Sequence, residues 1–269
     1  MGADLFSRFE DWTTAADQTL GYSIRELSVD DPRGELVQTA FTQPALFVVN
    51  AMTHRARIEG GSAPPDFVAG HSLGEFNALL AAEVFDFPTG LKLVQRRGQI
   101  MSLVRGGGMD AIIGLTPDRI EAVLAGSEAG QRLDVANFNS FEQTVIAGPT
   151  DAIEAVRGDF KAAGGRAIPL NVSAPFHSRY MREAQTEFAA FVDQFELTPP
   201  AIPVISNVTA APYDPAAMRD TLARQIGSSV RWLDSMLFLM DRGVTEFEEI
   251  GPGAVLTKLV GQISKRRQS

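Results

Sequence analysis

Apolar residues recur at helical spacing over residues 43–57, with Leu46, Val49 and Met52 on one side. Pro64 and Pro65 break that pattern, and the short apolar run 66–70 predicts a buried strand that leads directly into His71-Ser72-Leu73-Gly74. A helix comes next with Phe76, Leu79 and Leu80 on one face, and Pro88, tolerated in a first helical turn, opens another that runs to residue 104. Arg105-Gly106-Gly107-Gly108 ends it.

The middle of the chain reads as a complete unit. A strand is predicted at 109–115, then a helix with Thr116 as its cap and Pro117 at its first position. Strands at 133–138 and 143–147 flank a short Asn/Ser turn, Thr150 is expected to cap a helix ending at Gly164-Gly165, and 166–172 is a last strand. That order, βαββαβ, is the split ferredoxin-like pattern. It predicts a small subdomain at 108–174 inserted into a larger domain made of 1–107 and 175–269.

Alternation then resumes. Residues 178–195 are helical, 202–206 a strand, two helical segments part near Gly227-Ser228, 244–250 is a strand, and a final helix comes after Gly251-Pro252-Gly253. Strands alternating with helices predict an α/β fold with a mostly parallel sheet covered on both faces.

Composition narrows the chemistry. At 269 residues the chain has room for one large domain carrying a smaller one, and 45% hydrophobic with 21% charged residues is ordinary globular composition. A net charge of −9 argues against a nucleic-acid surface. The absence of cysteine excludes disulfides, thiolate metal sites and a Cys nucleophile. The three histidines, His54, His71 and His177, share no helical ligand spacing, so no metal site is expected. The polar, acidic start has no apolar signal core, and no run is long enough to span a membrane, so a cytoplasmic protein is expected.

Gly70-His71-Ser72-Leu73-Gly74 matches Gly-x-Ser-x-Gly between a predicted strand and a predicted helix. So tight a turn requires glycine at its flanking positions and lifts the Ser72 hydroxyl clear of the sheet. The helix N-terminus beneath offers unpaired N–H groups, and the Leu73 amide could hold an oxyanion. The alternative is a glycine-rich turn without chemistry. No phosphate-loop pattern is present. A nucleophilic serine needs a base. His54, beside Arg55 and Arg57, reads as surface, and His71 should point away from Ser72. His177, where the chain re-enters the large domain, is divided evenly between a base and a hydrogen-bonded loop histidine.

One arginine stands out. At 100° per residue, Leu93, Val94, Ile100 and Met101 share an arc, and Arg97 sits near its middle while Arg96 faces water. A guanidinium facing a core must be paired. Helical geometry alone slightly favours a bridge to one of the protein's own carboxylates over a clamp for a substrate carboxylate.

Gly70-His71-Ser72-Leu73-Gly74-Glu75, Thr42-Gln43-Pro44-Ala45, Gln95-Arg96-Arg97-Gly98, Asn137-Phe138-Asn139-Ser140, Phe176-His177-Ser178 and Glu249-Ile250-Gly251-Pro252-Gly253 occur in one order over nearly the whole chain. In that set the chain resembles malonyl-CoA:acyl-carrier-protein transacylases. It is most similar to the discrete, trans-acting acyltransferases of polyketide synthases, of which the disorazole pathway has one, with the transacylase of bacterial fatty-acid synthesis a near second.

The resemblance implies a hydrolase-like large domain with a ferredoxin-like insert and a site in the cleft between them. It implies Ser72 as nucleophile, His177 as base oriented by the backbone carbonyl of Gln225, and the Leu73 amide in the oxyanion hole. Arg97 would bind the malonyl carboxylate, Phe176 would mark malonyl selectivity, and Gln43 and Met101 would line the substrate pocket. Malonyl-CoA would be the substrate, with no bound cofactor. A phosphopantetheinylated acyl carrier protein would be the partner, and the chain a monomer. A carrier-clearing hydrolase is the rival enzyme, and a carrier-docking remnant the non-enzymatic one. Family members open with a short strand and a Phe-Pro-Gly-Gln-Gly-Ser-Gln loop, whereas residues 1–6 resemble the segment just after that loop. On that reading the chain starts late, lacks the loop's glutamine as second oxyanion donor, and is slow and less stable.

Overall fold

Helices α1 (Ala3–Arg8), α2 (Glu10–Leu20) and α3 (Ile24–Val29) open the computed structural model, which describes residues 1–267. The apolar pattern predicts no element there, because helices of six to 11 residues span too few turns for a period to emerge. The expected helix at 43–57 is α4 (Thr39–Glu59), longer at both ends. β1 (Val68–Ala69), α5 (Gly74–Ala81) and α6 (Phe87–Leu103) come next. Asp86 caps α6 by accepting the Thr89 N–H at 2.9 Å. Helices α4 and α6 pack along their length, and Phe47, Phe76, Leu91 and Leu93 fill the core between them.

The middle of the chain is β2 (Gly107–Ile113), α7 (Pro117–Ala125), α8 (Glu128–Gln131), β3 (Asp134–Ser140), β4 (Gln143–Pro149), α9 (Thr150–Ala162) and β5 (Arg166–Pro169). Its strands form one antiparallel sheet in the order β3-β4-β2-β5. One face of that sheet is covered by a core of its own, with Ile112, Ile120, Ile153, Val156 and Phe160 buried together. The expected side-chain caps at Thr116 and Thr150 are not formed. Thr116 stands at the cap with only its backbone carbonyl engaged, by Ile120 N–H, and Thr150 is already the first helical residue.

The chain returns through α10 (Arg182–Val192), β6 (Val204–Ile205), α11 (Met218–Arg224), α12 (Trp232–Asp241) and α13 (Val255–Arg267). β6 pairs with β1 in parallel, Val68 opposite Val204 and Ala69 opposite Ile205. The parallel part of this mixed α/β fold is therefore narrow. Residues 244–250, expected as a strand, carry no ladder. Among the described residues β1 pairs with β6 alone, and a cavity of about 1330 Å³ lined by Phe67, Ala69, Phe247 and Ile250 lies between 244–250 and residues 66–70, so the two backbones make no ladder. His54, expected at the surface, is half-buried beside the same cavity. Its Nε2 has no hydrogen-bond partner, and burial, with the charge of Arg57, holds the imidazole below its ordinary pKa.

Candidate active site

The elbow begins where β1 ends. A Cβ on Gly70 would lie 1.9 Å from the carbonyl carbon of Gly74, so only glycine fits. The expectation that both flanking glycines are sterically required holds at Gly70 alone, since a Cβ on Gly74 would meet nothing within 4 Å. Ser72 is held at φ 52°, a left-handed conformation that costs a residue with a side chain about 1–3 kcal/mol. Asn207, just past β6, braces the turn from both sides. Its Oδ1 accepts the Ser72 N–H at 2.7 Å and its Nδ2 donates to the Gly70 carbonyl at 2.7 Å.

His177 arrives from the end of the small sheet's last segment, also left-handed at φ 57°. Its Nε2 is 2.8 Å from Ser72 Oγ and its Nδ1 is 2.9 Å from the Gln225 carbonyl. A carbonyl only accepts, so the proton sits on Nδ1 and Nε2 presents a lone pair to the Ser72 hydroxyl. Burial, reinforced by the charge of Arg97, pushes the imidazole down to about 3, so it is neutral at physiological pH. The amides of Ser72, Gly74 and Glu75 are engaged by Asn207, His71 and Ser72 oxygens, whereas that of Leu73 takes no part in the turn's hydrogen bonds. An N–H placed one residue after a nucleophile can stabilise an oxyanion on its acyl group.

Arg97 is 1% exposed, on the buried face of α6. Among the described residues it makes no ion pair with a carboxylate, so the bridge that helical geometry slightly favours is not formed there. Nη1 donates to Gln43 Oε1 at 2.6 Å, and Nη2 donates to Gln225 Oε1 at 2.8 Å and to Ser72 Oγ at 3.1 Å. Its Nε has no partner. The face of Phe76 lies 5.6 Å from the guanidinium carbon. Burial lowers its pKa to about 10, so it remains a cation. Gln43 in turn donates to Met101 Sδ at 3.5 Å.

Ser72, His177, Gln225, Arg97, Gln43 and Met101 thus form one connected set, drawn from separate stretches of chain. Phe176 is half-buried next to His177 and packs against both the main core and the second face of the small sheet. His71 turns away from the site, with Nε2 2.9 Å from Asn139 Oδ1 and its ring beside Trp232. No cluster of His, Asp or Glu among the described residues could hold a metal ion.

Three contributors are not singled out by the sequence. Of the three, Glu75 alone leaves a helical signal, since it shares the buried face of α5 with Ala78 and Leu79 as Arg97 shares that of α6. Asn207 comes after a strand of two residues and carries no periodic signal. The side chain of Gln225 is the third, since the family resemblance points only to its carbonyl.

Several known proteins are similar to this chain over nearly its whole length. A polyketide biosynthesis malonyl CoA-acyl carrier protein transacylase, PksC of Bacillus subtilis, is 49% identical over 98% of this chain and 92% of its own length. The crystal structure of a malonyl CoA-acyl carrier protein transacylase from Burkholderia pseudomallei superposes with a TM-score of 0.94 at 52% identity, over all of this chain and 93% of that one. A malonyl-transacylase in complex with a type II polyketide synthase acyl-carrier protein superposes at 0.93 with 39% identity, over 98% and 88%. A family model described as the acyl transferase domain matches residues 1–268, and the chain belongs to that family.

Proposed function

We propose that this protein transfers a malonyl group from malonyl-CoA to the phosphopantetheine thiol of an acyl carrier protein in polyketide synthesis. Both similar proteins with solved structures and the curated relative are malonyl transacylases by name. The observation that carries the reading is Arg97, a buried cation without a carboxylate of its own, 3.1 Å from the Ser72 hydroxyl. A malonyl group attached to Oγ has its carboxylate carbon three bonds away, at bond lengths of about 1.5 Å, within reach of that guanidinium. A hydrolase that clears simple acyl groups has no use for such a clamp.

The reaction proceeds in two like halves. His177 Nε2 takes the Ser72 proton as Oγ bonds to the thioester carbonyl carbon. The Leu73 N–H stabilises the oxyanion and Arg97 holds the distal carboxylate. When the intermediate collapses, the carbon–sulfur bond breaks and CoA leaves with the proton from Nε2. The carrier's thiol then gives its proton to Nε2 and attacks the malonyl-serine. Its collapse breaks the Oγ–carbon bond and returns the proton to Ser72. The bound malonyl carboxylate also offsets the charge of Arg97, one of the causes that hold His177 low, so the base strengthens as substrate arrives. Gln43 and Met101 back the clamp, and Phe176 bounds the space around the malonyl methylene.

The separate core of the 107–169 sheet supports a division into a small subdomain at 108–174 and a large one at 1–107 and 175–269. His177 then reaches Ser72 from the junction of the two. Intact-protein mass spectrometry after mixing with malonyl-CoA tests the function. One malonyl adduct is expected, lost in Ser72→Ala. An adduct of equal yield on that variant removes Ser72 from the mechanism.

A further inference from the structure

The site holds one charged group that the transfer does not use. Glu75 is fully buried in the first turn of α5, three residues past the nucleophile. Its Oε1 accepts from Tyr213 OH at 2.6 Å and from the Asn207 N–H at 3.1 Å, and its Oε2 accepts from Gln225 Nε2 at 2.6 Å. Every partner is a donor, which is the environment of a carboxylate. Burial lifts its pKa to about 7 against the pull of those donors and of Arg97, so the carboxylate is the form populated above that pH.

The acceptor at one end of Gln225 meets the cation and the donor at the other meets the anion. Oε1 takes a hydrogen from Arg97, while Nε2 gives one to Glu75 and one to the Ser72 carbonyl at 2.7 Å. The same residue's backbone carbonyl holds His177 Nδ1. A buried cation and a buried anion are therefore joined through a neutral amide rather than paired directly. Direct pairing would satisfy the carboxylate but would cover the guanidinium. The amide conveys the counter-charge and leaves Arg97 able to take a substrate carboxylate.

We propose that Glu75 is the positioning residue of this site: it anchors Gln225, and through Gln225 it sets the alignment of His177 with Ser72 and the placement of Arg97. The proposal rests on the reading of Ser72 as nucleophile and His177 as base. It requires nucleophile activation and carboxylate recognition to depend on Glu75 together, although Glu75 touches neither substrate nor the reacting atoms.

The test is the rate of Ser72 acylation, measured by quenched-flow mass spectrometry with malonyl-CoA and with acetyl-CoA. Glu75→Gln keeps the size of the side chain but turns a donor toward Tyr213 or Gln225. It is expected to slow acylation by both substrates about ten-fold or more, since hydrogen bonds to a charged group are lost. Acting through Gln225, it is expected to add little to Gln225→Ala, so the double variant should be only as slow as Gln225→Ala alone. A merely structural role would lower melting temperature but leave the rates of folded protein unchanged and the two variants independent. Folded Glu75→Gln with wild-type rates, or fully multiplicative effects in the double variant, overturns the proposal. If Glu75→Gln does not fold, Tyr213→Phe decides: it removes one donor to Glu75 and is expected to slow both substrates several-fold, malonyl-CoA the more because Arg97 is displaced as well, and an unchanged rate overturns the proposal. Failure of wild-type protein to acquire any acyl group would instead remove the Ser72 assignment, and the proposal with it.

Discussion

The guanidinium of Arg97 donates a hydrogen bond to the hydroxyl of Ser72 across 3.1 Å, so the groups proposed to recognise and to attack the substrate are in direct contact. The contact fixes how far a carboxylate may stand from the carbon under attack. It also makes the guanidinium one of the charges that set the basicity of His177.

Arg97→Ala is expected to change selectivity more than nucleophile chemistry. A charged hydrogen bond contributes about 1.5–3 kcal/mol, so the malonyl-to-acetyl ratio in kcat/KM should fall ten-fold or more. Steady-state rates with both thioesters check this. A lowered melting temperature with an unchanged ratio would mean that Arg97 only holds the fold.

Gln43→Glu provides the converse case. It places a carboxylate where Gln43 Oε1 now accepts from Arg97 at 2.6 Å. An internal ion pair then competes with the substrate, and the KM for malonyl-CoA should rise at least ten-fold while acetylation of Ser72 changes little. Equal losses for both substrates would show that the clamp is not where malonate binds.

The pH dependence of Ser72 acylation by an uncharged reagent should report His177. The base acts in its neutral form, so the rate is lost as pH falls through its pKa, near 3 in the wild-type protein. Arg97→Ala removes the second cause of that depression, after burial, and leaves burial in place. The acid limb should therefore move upward in pH, toward the ordinary histidine range. A limb that stays put would separate Arg97 from the base electrostatically.

Gly70→Ala and Asn207→Ala test the elbow. The first adds a Cβ 1.9 Å from backbone that cannot yield, so a loss of about 3 kcal/mol or more in denaturant unfolding is expected. The second removes both bonds that hold the turn around Ser72, at about 1–3 kcal/mol for the buried groups left unpaired, and should slow acylation. Gly74→Ala is the control. Its Cβ meets nothing, and it should leave stability nearly unchanged.

What the sequence determined by itself is local. The βαββαβ order, the strand–elbow–helix around Ser72 and the place of Arg97 on an apolar arc come from periods of two and 3.6 residues and from glycine's lack of a Cβ. A neighbour a few residues away is enough to read them. Where a ladder depends on a partner far along the chain, periodicity misleads: residues 244–250 have the composition of a strand, but a strand exists only where another backbone takes up its hydrogen bonds. His54 has charged neighbours in sequence and a cavity for a neighbour in space. The tertiary structure alone decided that Arg97 meets Ser72, Gln43 and Gln225 rather than a carboxylate. It also decided that one glutamine lies between a buried cation and a buried anion, with Glu75 and Gln225 150 residues apart in sequence. The physical reason is burial. A charge removed from water must find its partners wherever packing brings them, and spacing along the chain carries no record of that meeting.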